Sequence, residues 1–229
     1  LIFSPVAMVC AVIVAAGSSR RAGFDKLAAH LDGAPVLRRS VDAFVAAGAA
    51  AVVVVCPESR WVETGLAAAS FPVPVSRVDG GAERQDSVAA GLAALPAGTR
   101  MVAVHDGARP LITPEGIRAC LEAAGETGAA ACAHPVVDTL KRADAAGFSL
   151  PEKVSRDNLW GMETPQIFRL DMLQQAYGYV RAHALVVTDE VSAVEAMGVP
   201  TRLVSGGVNL KITLPGDLEL AELIWKHRA

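Results

Sequence analysis

The sequence is poor in cysteine, with four in 229 residues and none spaced as CxxC. That speaks against a disulfide framework and the common paired-thiolate zinc sites. Cys10, Cys56 and Cys132 fall in apolar, strand-like runs, so buried free thiols in a reducing cytoplasm are expected. A membrane span is not expected either. The apolar run Phe44–Cys56 is shorter than the ~20 residues a bilayer requires, and Gly48 interrupts it. The opening stretch has the apolarity of a signal core but no basic leader, its first cation being Arg20. It reads as a buried strand behind a short irregular lead, with Met8 the expected natural start. Charge of one sign is lacking too. Lys and Arg number 21 against 24 Asp and Glu, for a net charge of −3 and a pI of about 6.0. This speaks against a protein that coats nucleic acid and is compatible with one small phosphate pocket.

What is present suits a folded α/β chain. Hydrophobic residues make up 52% and charged residues 20%, which excludes global disorder. A chain of this length buries roughly 70% of its unfolded surface, and a single domain over 1–229 is expected. Strands are expected at Val9–Ala15, Ala51–Cys56, Val73–Val78, Met101–His105, Ala129–Ala133 and Thr201–Val204. Pro74 assigns the third to a sheet edge. Helices are expected at Pro35–Ala47, Trp61–Ala69, Glu83–Leu95, Pro114–Ala124, Arg169–Val180, Asp189–Met197 and Pro215–His227. Thr113 is the expected cap of the fourth, with Pro114 in its first turn. The alternation implies a mostly parallel sheet, Rossmann-like, flanked by helices on both faces. Ligands of such sheets bind beyond the carboxyl ends of the strands. Residues 136–160 break the rhythm. They are polar, with Gly147 near the middle, and read as a projecting β-arm. A hairpin of that length does not fold alone in water, so it must lean on something, most simply a second copy of the chain.

Two well-known phosphate loops are absent. In GxxxxGK[ST] a Lys follows the second Gly, whereas Phe24 follows Gly23; GxGxxG fails around Gly17. A different loop stands after the first strand: Ala15-Ala16-Gly17-Ser18-Ser19-Arg20-Arg21-Ala22-Gly23-Phe24-Asp25-Lys26. Small residues let backbone amides approach an anion, and Arg20, Arg21 and Lys26 add three cations, a combination suited to a triphosphate. The bland alternative is a solvated turn with incidental cations. A second Gly-rich turn, Gly80-Gly81-Ala82-Glu83-Arg84-Gln85-Asp86-Ser87, runs into a helix whose free amides suit an anion or a base edge; otherwise it is an ordinary helix start. His105-Asp106-Gly107-Ala108-Arg109-Pro110 follows a buried strand. Asp106 is placed to hold Mg²⁺ together with substrate phosphates, and Arg109 to clamp a second anion; alternatively the two pair with each other. His105 reads as structural, since no HxxxH or Cys partner accompanies it. Thr139, Lys141, Arg156, Thr164, Thr188, Asp189 and Lys211 form a dispersed set of hydroxyls and charges that in combination suits a phosphorylated polyol.

Taken in order, AAGSSRRAGFDK, GGAERQDSV, HDGARP, DTLK, SRDNLW, TPQ, TDE and NLKIT resemble the 2-C-methyl-D-erythritol 4-phosphate cytidylyltransferase family, from Val9 to Leu223. The resemblance implies transfer of CMP from CTP to that phosphorylated polyol in non-mevalonate isoprenoid synthesis, a Mg²⁺ requirement, and a homodimer joined by the arm. It implies that Arg21 and Lys26 stabilise the transition state, with Asp106 as metal and substrate residue and Lys211 a catalytic residue beside the methylerythritol phosphate. Ala15, Ala16, Gly17, Ser18, Gly81, Ser87 and Gly107 then contact CTP. Arg109, Thr139, Arg156, Thr164 and Thr188 surround the acceptor, the arm residues serving the neighbouring subunit. The sequence departs from the family at several places. Asp25 stands where a Pro is usual, Ala22 for Met, Gly107 for Ala, Val137 for Arg and Val208 for an acidic residue. A ribitol or ribulose 5-phosphate cytidylyltransferase is the nearest alternative, and a catalytically silent nucleotide-binding protein a more distant one. No nucleic acid or membrane partner is expected.

Overall fold

A computed structural model describes residues 8–17 and 24–228. The elements are β1 Val9–Val14, β2 His30–Leu31, β3 Ala34–Pro35, α1 Val36–Ala47, β4 Ala51–Val55, α2 Glu58–Glu63, β5 Val75–Val78, α3 Arg84–Ala93, β6 Met101–Asp106, α4 Pro114–Thr127, β7 Ala129–Pro135, β8 Trp160–Arg169, α5 Leu170–Ala182, α6 Glu190–Glu195, β9 Arg202–Val204 and α7 Gly216–Arg228. Seven strands form one sheet in the order β5-β4-β1-β6-β8-β7-β9. Pairing is parallel throughout except at β8, which runs antiparallel to both β6 and β7. The Pro74-flanked strand β5 lies at the edge, as its missing donor requires.

Period-two alternation along the strands divides the core between two faces. Ala11 and Ile13 of β1, Val52 and Val54 of β4 and Ala103 of β6 pack under α1 and α4, against Leu37, Val41, Phe44 and Ile117. Val12, Val102 and Val104 point the other way, toward Val88 of α3, Leu173 of α5 and Val194 of α6. Burying each of the larger side chains contributes about 1.5–3 kcal/mol. Helix α3 lies especially close. A Cβ on Gly91 would stand 2.4 Å from Val12 and 2.9 Å from Val55, so only glycine lets this helix rest on β1 and β4. All four cysteines are free and buried. Among the described residues, no helix is long and apolar enough to cross a membrane.

The local signals mostly carry through. Thr113 accepts a hydrogen bond from Gly116 N at 3.1 Å and caps α4 behind Pro114, and Gly128, at φ +85°, ends it. Three expectations are corrected. The helix expected at Trp61–Ala69 is α2 followed by a separate 3₁₀ turn, Leu66–Ala68, because Gly65 at φ +69° leaves the helical region. Pro35 belongs to the small β2–β3 hairpin and not to α1. The expected run of parallel strands missed β8, whose ten residues hold Glu163, Thr164, Pro165 and Gln166 and carry no alternating apolar pattern.

Residues 136–159 extend from the β7–β8 end of the sheet. Val136 N donates to Leu159 O at 2.9 Å at the base; nearer the tip, Leu150 N donates to Arg142 O at 2.8 Å, and Ala143 pairs with Ser149. The arm is therefore hairpin-like but holds no continuous strand. The hydrogen bonds and ion pairs found within 137–158 all stay inside the arm. Phe148 and Val137 are left 72% and 76% exposed.

Candidate active site

The parallel β1–β6 pair fixes the centre of the site. Val14 stands opposite Asp106, Gly107 N donates to Val14 O at 2.9 Å, and Ala15 N donates to Val55 O at 2.8 Å. The chain thus leaves β1 between the ends of β4 and β6. Two other turns close on it. A Cβ on Gly80 would lie 2.5 Å from the Ala16 Cβ, and one on Gly107 would lie 3.3 Å from the Ala15 Cβ and 2.8 Å from Leu37. Three sequence-distant turns, at Ala15–Gly17, Gly80–Gly81 and Asp106–Gly107, meet at one end of the sheet, with small residues where they touch. Ser87 is 3% exposed; its hydroxyl accepts from Gly81 N at 3.1 Å and donates to Glu83 O at 3.2 Å. Here it shapes the Gly turn.

Asp106, at the end of β6, faces three cations. Lys211 Nζ donates to its Oδ2 at 2.7 Å, with Arg109 Nε 3.7 Å from the same oxygen, and Arg84 Nη2 lies 3.4 Å from Oδ1. Burial alone would raise this carboxyl's pKa. The ammonium of Lys211, then the guanidiniums of Arg84 and Arg109, outweigh burial and hold it well below the usual carboxylate range. Asp106 thus pairs with Lys211 more closely than with Arg109. Arg109 donates instead to Asn209 O at 2.7 Å, and Asn209 Nδ2 donates to Thr164 O at 2.7 Å and to Glu163 Oε2 at 3.0 Å. The Thr164 hydroxyl accepts from Asp106 N at 3.0 Å and lies 3.0 Å from His105 Nδ1. The antiparallel strand β8 therefore carries Thr164 to the end of β6. His105 is fully buried and its pKa is lowered to about 4, burial being the main cause.

The sequence motifs did not reveal what sits behind Asp106. Arg84, in the first turn of α3, also binds the fully buried Glu190 of α6, whose Oε1 accepts from Tyr177 OH at 2.9 Å. Burial would lower the Arg84 pKa, but Glu190 and then Asp106 reverse this and raise it; burial followed by Glu190 raises that of Tyr177. Arg84 stands in the GGAERQDSV motif and Glu190 in the TDE motif, but nothing local pairs the two. Lys26 Nζ donates to Ile212 O at 2.8 Å, and Ile212 N donates to Ala108 O at 2.9 Å, so Lys26, the Asp106 turn and Lys211 share one neighbourhood.

Other expected residues stand elsewhere. Ser18 and Arg21 lie outside the described residues. Thr139 and Arg156 are exposed on the arm, where Arg156 donates to Val137 O. Thr188 is exposed and lies 3.3 Å from the Ser192 hydroxyl; its neighbour Asp189 caps α6 by accepting from Ser192 N at 2.9 Å. Asp189 also accepts from Gln166 Nε2 at 2.8 Å, and Gln166 Oε1 accepts from Val191 N at 3.0 Å, fastening α6 to β8. Among the described residues, no group of three or more His, Cys, Asp or Glu side chains could hold a metal unaided.

Comparison with known proteins bears on this arrangement. The family model described as IspD, 2-C-methyl-D-erythritol 4-phosphate cytidylyltransferase, matches residues 9–227. The enzyme of that name from Pelotomaculum thermopropionicum is 41% identical over 227 residues, covering 96% of this chain and 95% of its own. That from Synechococcus sp. is 40% identical over 223 residues, covering 95% and 99%. A crystal structure of the Thermus thermophilus enzyme aligns with a TM-score of 0.75 at 33% identity, over 94% of this chain and 98% of that one.

Proposed function

The chain belongs to the 2-C-methyl-D-erythritol 4-phosphate cytidylyltransferase family, and from that membership we propose that it transfers the cytidylyl group of CTP to 2-C-methyl-D-erythritol 4-phosphate, a step of isoprenoid biosynthesis. The observation that carries the reading is Asp106, set among Lys211, Arg84 and Arg109 where three small-residue turns meet. A phosphate-rich ligand needs such a place, with free backbone beside several cations.

The chemistry asks little of the protein beyond position and charge. The acceptor's phosphomonoester has a second pKa of about 6, so its oxygen is already anionic near neutral pH and no general base is needed. That oxygen forms a bond to the α-phosphorus of CTP. The bond from this phosphorus to the bridging oxygen of the β-phosphate breaks, and pyrophosphate leaves with the electron pair. Lys26 and Arg21 serve to neutralise charge gathering on the five-coordinate phosphorus, and Lys211 does so beside Asp106. On this reading Ala15, Ala16, Gly17, Ser18, Gly81, Ser87 and Gly107 serve the nucleotide, while Arg109 and Thr164, beside Asp106, serve the acceptor, and so does the exposed Thr188.

The donor set at Asp106 suits a divalent cation of the Mg²⁺ type. Mg²⁺ takes hard oxygen ligands and commonly binds through one or two carboxylates plus substrate phosphates. A single carboxylate, with no group of three or more His, Cys, Asp or Glu side chains able to hold a metal among the described residues, fits that pattern. A bound Mg²⁺ would offset phosphate charge, with Asp106 as its protein ligand. Each subunit's arm is proposed to embrace a second copy of the chain, carrying Thr139 and Arg156 to the neighbour's acceptor site.

The deciding assay incubates the protein with CTP, Mg²⁺ and the methylerythritol phosphate and detects the CDP-linked product by mass, with ribitol 5-phosphate in parallel. Product from the first acceptor only is expected; product from ribitol 5-phosphate alone overturns the acceptor assignment. Lys26→Ala and Asp106→Asn are each expected to lower turnover by roughly 10²–10³. Near-parent turnover would remove that residue from the chemistry.

A further inference from the structure

Arg60 is an arginine in a short surface-connected helix, yet it is only 7% exposed. A long cation is buried at such a place only when its donors are matched. Its Nη1 donates to the carbonyl of Ala15. Its Nε and Nη2 both donate to Asp25 Oδ2, at 3.1 and 2.9 Å. Ala15 is the residue at which the chain leaves β1, and Asp25 stands at the far side of the small-residue turn. One guanidinium therefore ties together the two ends of the segment 16–24. The second Asp25 oxygen, Oδ1, accepts from Leu27 N at 3.0 Å, and Asp25 O accepts from Ala29 N at 3.0 Å. These bonds fix the backbone on either side of Lys26.

We infer that Arg60, acting with Asp25, is a positioning residue for the nucleotide site: it sets the distance between the Ala15–Gly17 backbone and Lys26, so that both meet one triphosphate. This rests on the CTP site proposed above. Arginine suits the task because its planar fork reaches two partners in fixed directions, where a lysine ammonium supplies a single flexible point. Holding the segment's ends before the ligand arrives removes part of the ordering cost of binding. The effect should then fall on CTP, not on the acceptor, whose proposed residues lie in the turn after β6, on β8, before α6 and on the arm.

The test uses Asp25→Asn, which keeps an acceptor for Leu27 N; Arg60→Lys, which keeps charge but loses the fork; Arg60→Met; and the Asp25→Asn/Arg60→Met pair. CTP binding is measured by calorimetry without acceptor, and KM for each substrate together with the melting temperature by standard assay. In Asp25→Asn and Arg60→Lys, CTP affinity should weaken about tenfold while the acceptor KM stays within about twofold. The double variant should bind CTP no worse than Arg60→Met alone, since both changes break one contact. If Arg60→Met fails to fold, the two conservative variants decide the matter. The inference is overturned by near-parent CTP affinity in both conservative variants. It is equally overturned if both KM values rise in step with a fall in melting temperature. Lys26→Ala runs alongside: CTP-dependent loss there but not in the Arg60 and Asp25 variants rejects the positioning role alone, and no loss in Lys26→Ala rejects the site reading beneath it.

Discussion

Glu190 has no solvent contact, and among the described residues its Oε2 has no hydrogen-bond partner. Its charge is therefore tolerated through Arg84 and the Tyr177 hydroxyl at Oε1. Arg84 in turn splits its guanidinium between Glu190 and Asp106, so Glu190 decides where a cation beside the central carboxylate points. Glu190→Gln keeps the shape and removes the charge. It is expected to cost about 3 kcal/mol, the lower end for breaking a buried pair, because Arg84 keeps some access to water. Turnover should fall as well. Urea unfolding of parent and variant checks the first point, and equal midpoints would show that Glu190 is not the anchor. Legibility differs residue by residue along this chain of contacts. Asp106, Arg109 and Lys211, which the fold brings together, could be singled out in the sequence because each lies in a short motif that stands out from the alternating pattern. Arg60 and Glu190 could not be given their roles, because each acts on a residue more than thirty positions away and only the folded sheet brings the partners together.

At the scale of elements, alternation of β-branched runs with amphipathic stretches was enough to place β1, β4, β6, β7 and all the long helices. Strand β8 escaped because polar residues are buried along it: Glu163, Thr164 and Gln166 are 7%, 4% and 1% exposed, each bonded to a neighbour. With only Ile167 and Phe168 as large apolar buried residues, side by side at its end, the strand leaves no alternating pattern to read. The arm was legible for the opposite reason, as polar sequence too long for a turn. Val137 and Phe148 are exposed on it, and among the described residues the hydrogen bonds and ion pairs of 137–158 stay within the arm. If the arm serves a neighbouring subunit, Arg156→Ala and Lys26→Ala damage different halves of a shared site. Mixing the two weakened proteins and allowing exchange should then recover about a quarter of parent activity, through mixed dimers with one intact site. Recovery no greater than the sum of the separate activities, or a monomer by sedimentation, would place Arg156 outside a shared site.

For the molecule as a whole, the same buried end of β6 that orders the site links folding to pH. His105 is enclosed by the Phe44 ring, with centroids 5.0 Å apart, by the Thr164 hydroxyl and by the Arg109 carbonyl, and it faces the charges of Asp106 and Arg109. Burial keeps it neutral, with its pKa lowered from 6.5 to about 4. An unfolded chain takes up this proton as pH drops below 6.5, while the folded chain resists until about 4. Between those values the unfolded state binds more protons, so folding stability falls with falling pH, and above 6.5 the contribution is constant. The loss across the window is about 3 kcal/mol. Asp106 acts in a different range: with its pKa held low by its cations, it withdraws stability only as pH falls below the ordinary carboxylate value near 4. The two groups are thus separable by pH alone. Denaturant unfolding of the metal-free protein at steps from pH 7.5 to about 3.5 should show stability declining below 6.5. His105→Gln, which offers hydrogen-bonding groups without a titrating ring, should flatten that decline while leaving the steeper loss near pH 4 in place. An unchanged slope in His105→Gln would mean that other groups set the acid sensitivity, and that the ring is not held neutral by its burial.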